Sequence, residues 1–285
     1  QLGNPPPLRI FAIARAFRGG MSIEEVHALT EIDKWFLKSI ATVVRMHVLL
    51  ESTSWPVSSQ VLREAKGLGF SDQAIDVIMK APQGSIRELR KQAGIERRLA
   101  QIDTLAAEFP ADTNYLYTTF HASRSDVTPS RRKKILVLGS GAYRIGSSVE
   151  FDWCCVNAVQ AAAALGYETI MLNYNPETVS TDYDVCDRLV FDEVNLETVL
   201  DLYEQERPDG VVVSMGGQIP NSLAMQLHRA GVKVLGTSPD NIDRAEDRNK
   251  FSALLDTLGI DQPRWFHMGD LSDADKVVTQ LGGFP

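Results

Sequence analysis

Residues 134–153 read KILVLGSGAYRIGSSVEFDW, a continuous apolar run, a glycine-rich turn and a helix start in close succession. The run Ile135-Leu136-Val137-Leu138 has no polar alternation, as expected of a strand covered on both faces in a parallel sheet. Gly139 and Gly141 permit a sharp turn and close approach of a ligand, since a side chain there would forbid positive φ and block access. Ser147-Ser148-Val149-Glu150 fits a capping box, with Ser147 accepting from first-turn amides and Glu150 reaching back. A helix N-terminus would then point into the mouth of the turn, where unpaired amides and the macrodipole favour an anion.

Spacing excludes the two commonest nucleotide loops. A dinucleotide fold requires G-x-G-x-x-G, and here Gly146 arrives two positions late. It also requires an acidic residue at the end of the next strand, but residues 168–172 run into Asn173-Tyr174-Asn175. No Gly-Lys-Ser/Thr closes the turn, so it is not a Walker loop. Beyond it the alternation is regular. Strands are predicted near 134–138, 168–172, 188–192, 210–214 and 232–235, and helices near 148–165, 196–206, 220–230 and 239–258. Repeated βα units of this length predict a doubly wound parallel sheet with right-handed crossovers. Its ligands would sit beyond the carboxyl ends of the strands. Those ends carry Asn175 to Asp182, Met215 to Asn221, and Gly236 to Pro239.

Residues 5–94 read as helical. Pro7 can open a helix carrying Ile10, Phe11, Ile13, Ala14 and Phe17, ended by Gly19-Gly20. Ser22 with Glu25 makes a capping box, and Ser85 with Glu88 fits another. Ser71 reads as an N-cap and Gly94 as a C-cap. Phe36, Ile40, Val43, Val44 and His47 define one face of a longer helix. Such wide apolar faces are commonly covered by a neighbour or a second subunit. Residues 115–120 alternate and are β-prone, so a strand leaves the helical block there. The polar stretch 121–133, with Pro129 and a basic run, reads as a linker.

The 285 residues are 44% hydrophobic, enough for one large or two ordinary globular domains. Net charge is −8, with 15 basic and 14 acidic residues in 1–130 and 14 and 23 in 131–285. No basic stripe suits nucleic acid or an anionic membrane. Cys154, Cys155 and Cys186 are too few and too poorly spaced for a disulfide framework or a zinc site, and a reducing, cytoplasmic setting is expected. No apolar run approaches the roughly 20 residues of a spanning helix. The start at Gln1 and the end at Gly282-Gly283-Phe284-Pro285 read as the borders of a piece of something longer.

Individual residues carry competing readings. Glu150 is either the capping-box acid or the wall of a passage for a small polar molecule. Glu177, after Asn175-Pro176, either stabilises a turn or serves a site. Gly216-Gly217 admits a ligand or another loop. Arg144 aims a cation at an anion or is a solvated loop arginine. Ser147 and Ser148 have no nearby histidine to activate them as nucleophiles. The cysteine pair and His47 read as packed. Ser238 and Pro239 open the helix 239–258, in which Asp240–Arg244 and Glu246–Lys250 are i,i+4 pairs. Arg248 has no acidic residue four positions earlier and can serve a phosphate bidentately.

GSGAYRIGSSVEFDWCCV, LNYNPETVSTDYDVCDRLVF, SMGGQIPNSLA and GTSPDNIDRAEDRNKFSALLDTLGI, in this order and spacing, resemble the large synthetase component of carbamoyl phosphate synthetase, in its carbamate-phosphorylating half. RIFAIARAFRGGMSIEEVHALTEIDKWFL and DTLAAEFPADTNYLYTTF resemble the oligomerisation domain that precedes that half. The wording is closest to eukaryotic multifunctional, pyrimidine-pathway members. The resemblance implies a helical oligomerisation domain at 1–126, a Rossmann-like pre-ATP-grasp α/β domain at 127–238 and the opening of an ATP-grasp domain at 239–285. It implies a ligase that uses ATP and Mg²⁺ to phosphorylate carbamate, with no catalytic residue in this stretch and Mg²⁺ ligands beyond Pro285. Glu150 and Glu177 would line the carbamate passage, with Ser148 beside it narrowing the route, and Arg248 would contact ATP. Implied partners are a glutaminase domain or subunit, the rest of the synthetase, a second copy through the helical domain, and dihydroorotase and aspartate transcarbamoylase domains of the same chain. An arginine-pathway synthetase, a chiefly architectural segment and a biotin carboxylase relative remain alternatives.

Overall fold

A computed structural model of the chain describes residues 2, 3, 6–110, 113–142 and 149–283. They form two compact units, 1–99 with 119–125, and 100–118 with 126–285.

The first unit contains α1 (Arg9–Arg18), α2 (Ile23–Thr30), α3 (Lys34–Ser52), α4 (Ser59–Gly67), α5 (Asp72–Met79) and α6 (Ser85–Gln92). α3 is its spine. Leu37, near its start, packs in one core with Ile13 and Val26. Met46 and Leu50, near its end, pack in a second core with Leu62, Ala65, Ile75 and Ile86. The face predicted from periodicity is buried only in part. Leu37, Ala41, Met46 and Leu50 point inward, Ile40 packs partly buried against the first of these cores, and Phe36 and Val43 are exposed. Because α3 is apolar almost all round, its period alone could not choose between faces. His47 is half-buried, 3.6 Å from Glu51.

Local chemistry sets most of the helix ends. The Ser22–Glu25 capping box forms as expected, and Ser71 accepts from the Ala74 amide. At α6 the expected Ser85 cap is replaced: Gly84 is the N-cap and Ser85 is helical. The buried carboxylate of Asp76, on α5, accepts from the Gly84 amide at 2.7 Å, the Ile86 amide at 3.1 Å and the Ser85 hydroxyl at 3.1 Å. Gly94 follows α6 at φ 63°, closing it as predicted.

The strands are β1 (Arg98–Gln101), β2 (Tyr115–Thr119), β3 (Lys134–Leu138), β4 (Glu168–Asn173), β5 (Arg188–Phe191), β6 (Gly210–Val212) and β7 (Val234–Leu235). They form one sheet in the order β1-β2-β5-β4-β3-β6-β7. β2 with β5, β5 with β4, β4 with β3, β3 with β6 and β6 with β7 all pair in parallel. The β-prone stretch after the helical block is thus the strand beside β5, with Tyr115 opposite Leu189. Between them lie α7 (Val149–Ala164), a 3-10 turn (Val179–Thr181), α8 (Leu196–Glu206) and α9 (Gln218–Arg229). α7 packs against the 3-10 turn and α8 against α9. Every residue of β3 and β4 is buried: their apolar centres, 135–138 and 170–172, are covered on both faces, and the polar ends Lys134, Glu168 and Asn173 are held by ion pairs or hydrogen bonds.

At the amino ends of the strands, Lys134 and Arg188 both pair with Glu206, at 3.0 and 2.9 Å, and Arg188 also reaches Glu168 at 3.0 Å. This buried network ties the starts of β3, β4 and β5 to the end of α8. Beyond β7, the single helix expected over 239–258 is two, α10 (Pro239–Glu246) and α11 (Arg248–Leu258), followed later by α12 (Ala274–Leu281). Asp247 ends α10 and caps α11, its carboxylate accepting from the Asn249 and Lys250 amides. The break also re-pairs the charges: Lys250 bonds Asp243, seven residues back, rather than Glu246. Asp247 is held below the usual carboxylate range first by the Lys250 amide.

Candidate functional site

From β3 onward, successive strands are added on one side as β4 and β5, and then on the other as β6 and β7. The direction reverses between β3 and β6, where ligands of open α/β sheets bind. Two glycine turns meet at that point. A Cβ on Gly216 would lie 2.5 Å from the Leu138 carbonyl oxygen and 2.7 Å from that of Gly139. Gly217, at φ +76°, faces the Phe151 ring, and Gly141, at φ +74°, faces the end of Ile219. Gly216-Gly217 therefore admits another loop, the second of the two readings. Ser140 Oγ and Asn221 Oδ1, beside these turns, are buried without a hydrogen-bond partner among the described residues. Residues 143–148, including Arg144, Gly146, Ser147 and Ser148, lie outside the described residues.

Asn173 stands where a dinucleotide fold carries its ribose acid, and what its side chain does is not legible in the sequence. Asn173, Asp152 and Ser180 are all fully buried. Asn173 Oδ1 accepts from the amides of Gly141 at 3.0 Å and Tyr174 at 2.8 Å. Its Nδ2 donates to Ser180 Oγ at 3.1 Å and, more distantly, to Asp152 Oδ1 at 3.5 Å. Asp152, in the first turn of α7, accepts from the Ser180 amide at 2.8 Å and the Ser180 hydroxyl at 2.5 Å. Gly139 is required for this packing, because a Cβ there would sit 2.4 Å from Asn173 Cγ. The glycine turn thus receives an asparagine side chain where a pyrophosphate was the alternative. A carboxylate between Phe151 and Trp153, at the start of a largely apolar helix, was the available sequence signal for Asp152.

Two family models match this chain. Carbamoyl phosphate synthase preATP-grasp domain matches residues 131–244, and carbamoyl-phosphate synthetase large chain, oligomerisation domain, matches residues 1–94. The multifunctional protein URA2 of Saccharomyces cerevisiae is 52% identical, and ura1 of Schizosaccharomyces pombe 50% identical, each over 99% of this chain and 13% of the relative. The chain belongs to the carbamoyl phosphate synthetase large-chain family. The arginine-specific large chain of Cutaneotrichosporon cutaneum is 49% identical over 99% of this chain and 24% of its own. The chain therefore spans a small part of the curated relatives it matches. Among solved structures, the biotin carboxylase domain of a single-chain bacterial carboxylase covers 54% of this chain and 35% of its own, at 16% identity and TM-score 0.39.

The residues that the resemblance singles out fall on different elements of the fold. Glu150 is exposed on the first turn of α7. Glu177 is exposed in the loop after β4, and its amide donates to Asn175 Oδ1 at 3.0 Å, which is the turn-forming role. It also lines a cavity of about 720 Å³ with Tyr115, Tyr174, Asp182 and Phe191. The wall is acidic: burial, then the charges of Asp182, Asp184 and Glu177, push the Tyr115 phenol above its ordinary range. Arg248 is exposed as the first residue of α11. The amides behind it already serve Asp247, so only its side chain is offered to a phosphate. Among the described residues, no group of three or more His, Cys, Asp or Glu could hold a metal ion, and no helix is long and apolar enough to cross a membrane.

Of the cysteines, Cys154 is exposed and Cys155 and Cys186 are buried, so the packed reading holds for one of the adjacent pair.

Proposed function

We propose that this chain belongs to the carbamate-phosphorylating half of a glutamine-dependent carbamoyl phosphate synthetase serving pyrimidine synthesis. In it the chain supplies an oligomerisation domain to about residue 126, helical up to α6 and with residues 100–118 folding with the second unit, a pre-ATP-grasp domain to 238, and the opening of the ATP-grasp domain from 239. Glu150 and Glu177 line the route taken by carbamate, Ser148 narrows it, and Arg248 contacts ATP. The observation that carries the reading is the polar join of α7 to the loop after β4, which ties the elements bearing Glu150 and Glu177 at the carboxyl edge of the sheet. The Ser140 and Asn221 oxygens, buried and without a hydrogen-bond partner among the described residues, add polarity beside the glycine turns. Carbamate decomposes in water, and enclosure against a packed sheet edge protects it.

ATP with Mg²⁺ supplies the phosphoryl group. The described residues offer no metal site, and the role of this chain is to enclose and orient. The partners are the glutaminase, the remainder of the synthetase, and dihydroorotase and aspartate transcarbamoylase domains in the same polypeptide, in the cytoplasm. Free cysteines suit that setting.

The test uses a full-length synthetase carrying this sequence. Glu150→Ala and Glu177→Ala should each raise the ATP hydrolysed per carbamoyl phosphate formed while sparing bicarbonate-dependent ATP hydrolysis; equal loss of both activities would contradict a passage. Arg248→Ala should raise the KM for ATP by about tenfold at the second phosphorylation only, as expected for loss of a charge-assisted contact. A second, architectural reading has its own support: α1 and the residue before it expose Leu8, Ile10 and Phe11, and α3 exposes Trp35, Phe36 and Val43.

A further inference from the structure

We propose that Asp152 is a positioning residue that sets the spacing between Glu150 and Glu177; the proposal rests on the reading of those glutamates as walls of a passage. Glu150 and Asp152 are two residues apart on the first turn of α7. Side chains at i and i+2 of a helix diverge, and here Glu150 is exposed while Asp152 is fully buried.

Asp152 turns toward the loop that carries Glu177, which is internally braced. The Glu177 amide donates to Asn175, the Thr178 amide donates to Thr181 Oγ1 at 3.2 Å, and Thr181 Oγ1 donates to the Thr178 carbonyl at 2.9 Å. A loop stiffened in this way moves as a unit, so fixing Ser180 fixes Glu177 three residues earlier. Asp152 makes that fixation with both carboxylate oxygens, one receiving the Ser180 amide and the other its hydroxyl. Asn173 extends the same network to the Gly141 amide. One carboxylate therefore joins the helix bearing Glu150, the loop bearing Glu177 and, through Asn173, the glycine turn.

The chemistry requires an acid. Ser180 and Asn173 present donors to Asp152, and an ionised carboxylate only accepts. An asparagine at 152 keeps the shape but turns an NH₂ toward a donor, leaving buried groups unpaired.

Two measurements test this. In the 285-residue chain, Asp152→Asn should accelerate hydrogen exchange at the Ser180 and Gly141 amides by about tenfold or more, with helix content unchanged. Unchanged exchange would overturn the proposal. In a full-length synthetase carrying this sequence, Asp152→Asn should raise the ATP hydrolysed per carbamoyl phosphate formed while bicarbonate-dependent hydrolysis persists. A merely structural loss would lower both activities together and leave the ratio alone, which counts against positioning. Ser180→Ala, which removes one donor and keeps the acid, should shift the ratio in the same direction by less, and it serves if Asp152→Asn fails to fold. If the glutamate variants raise the ratio and both of these leave it unchanged, positioning is wrong and the passage stands. If the glutamate variants also leave it unchanged, the passage reading fails and the positioning proposal falls with it.

Discussion

Gly139 and Gly216 show how a glycine motif can be legible while its purpose is not. Alanine at 139 would drive its Cβ into Asn173, and alanine at 216 would meet the backbone oxygens of Leu138 and Gly139, which cannot swing away. Gly139→Ala is expected to cost about 1–3 kcal/mol of overpacking, and Gly216→Ala more. Gly269→Ala, with open space around it, should stay within about 0.5 kcal/mol; urea unfolding of the three variants decides. The cysteines give a second prediction at this scale. Burial pushes the Cys155 and Cys186 thiols up to about 12 from an ordinary 9.0. The folded chain keeps those protons while the unfolded chain begins to lose them near pH 9. The associated stability is therefore complete below pH 9 and is lost progressively toward pH 12. The urea midpoint should fall between about pH 8 and about pH 10, and fall less in Cys155→Ala. At pH 8 a thiol reagent should titrate Cys154 quickly and the other two only after denaturation.

Helix ends show where local rules suffice and where they do not. The caps at Ser22, Ser71 and Ser238 use neighbours within three residues, and all three form as predicted. The α6 cap comes from Asp76, ten residues before Ile86, and only folding of α5 onto α6 brings it there. Asp76→Ala removes the partner of two amides and a hydroxyl and should cost about 2–3 kcal/mol, whereas Ser85→Ala, which loses one hydroxyl bond, should cost about 1 kcal/mol or less. Chemical denaturation of both variants measures the difference. The break at Asp247 belongs to the local class: an acid two and three residues before free amides is an N-cap signature, obscured by the longer periodic pattern around it.

At the scale of the molecule, the exposed apolar side chains of the first unit are the feature with consequences beyond the fold. Trp35 is 69% and Phe36 57% exposed, their rings edge-to-face at 5.0 Å, on the helix that also spans both cores of that unit. If this face associates with a second copy, Trp35→Lys with Phe36→Lys should lower the sedimentation coefficient to that of a monomer without lowering Tm; association that persists would exclude the face. The parallel sheet, the positions of β2 to β7 and the family were legible in the chain, because continuous apolar runs, turn glycines and serine caps act over a few residues; the short edge strand β1 was not. Three outcomes needed the tertiary structure: the buried face of α3, the insertion of β2 beside β5, and the Asp152–Ser180–Asn173 network. Each depends on which of several chemically equivalent surfaces meet across gaps of tens of residues, and sequence periodicity records that a surface is apolar without recording what it touches.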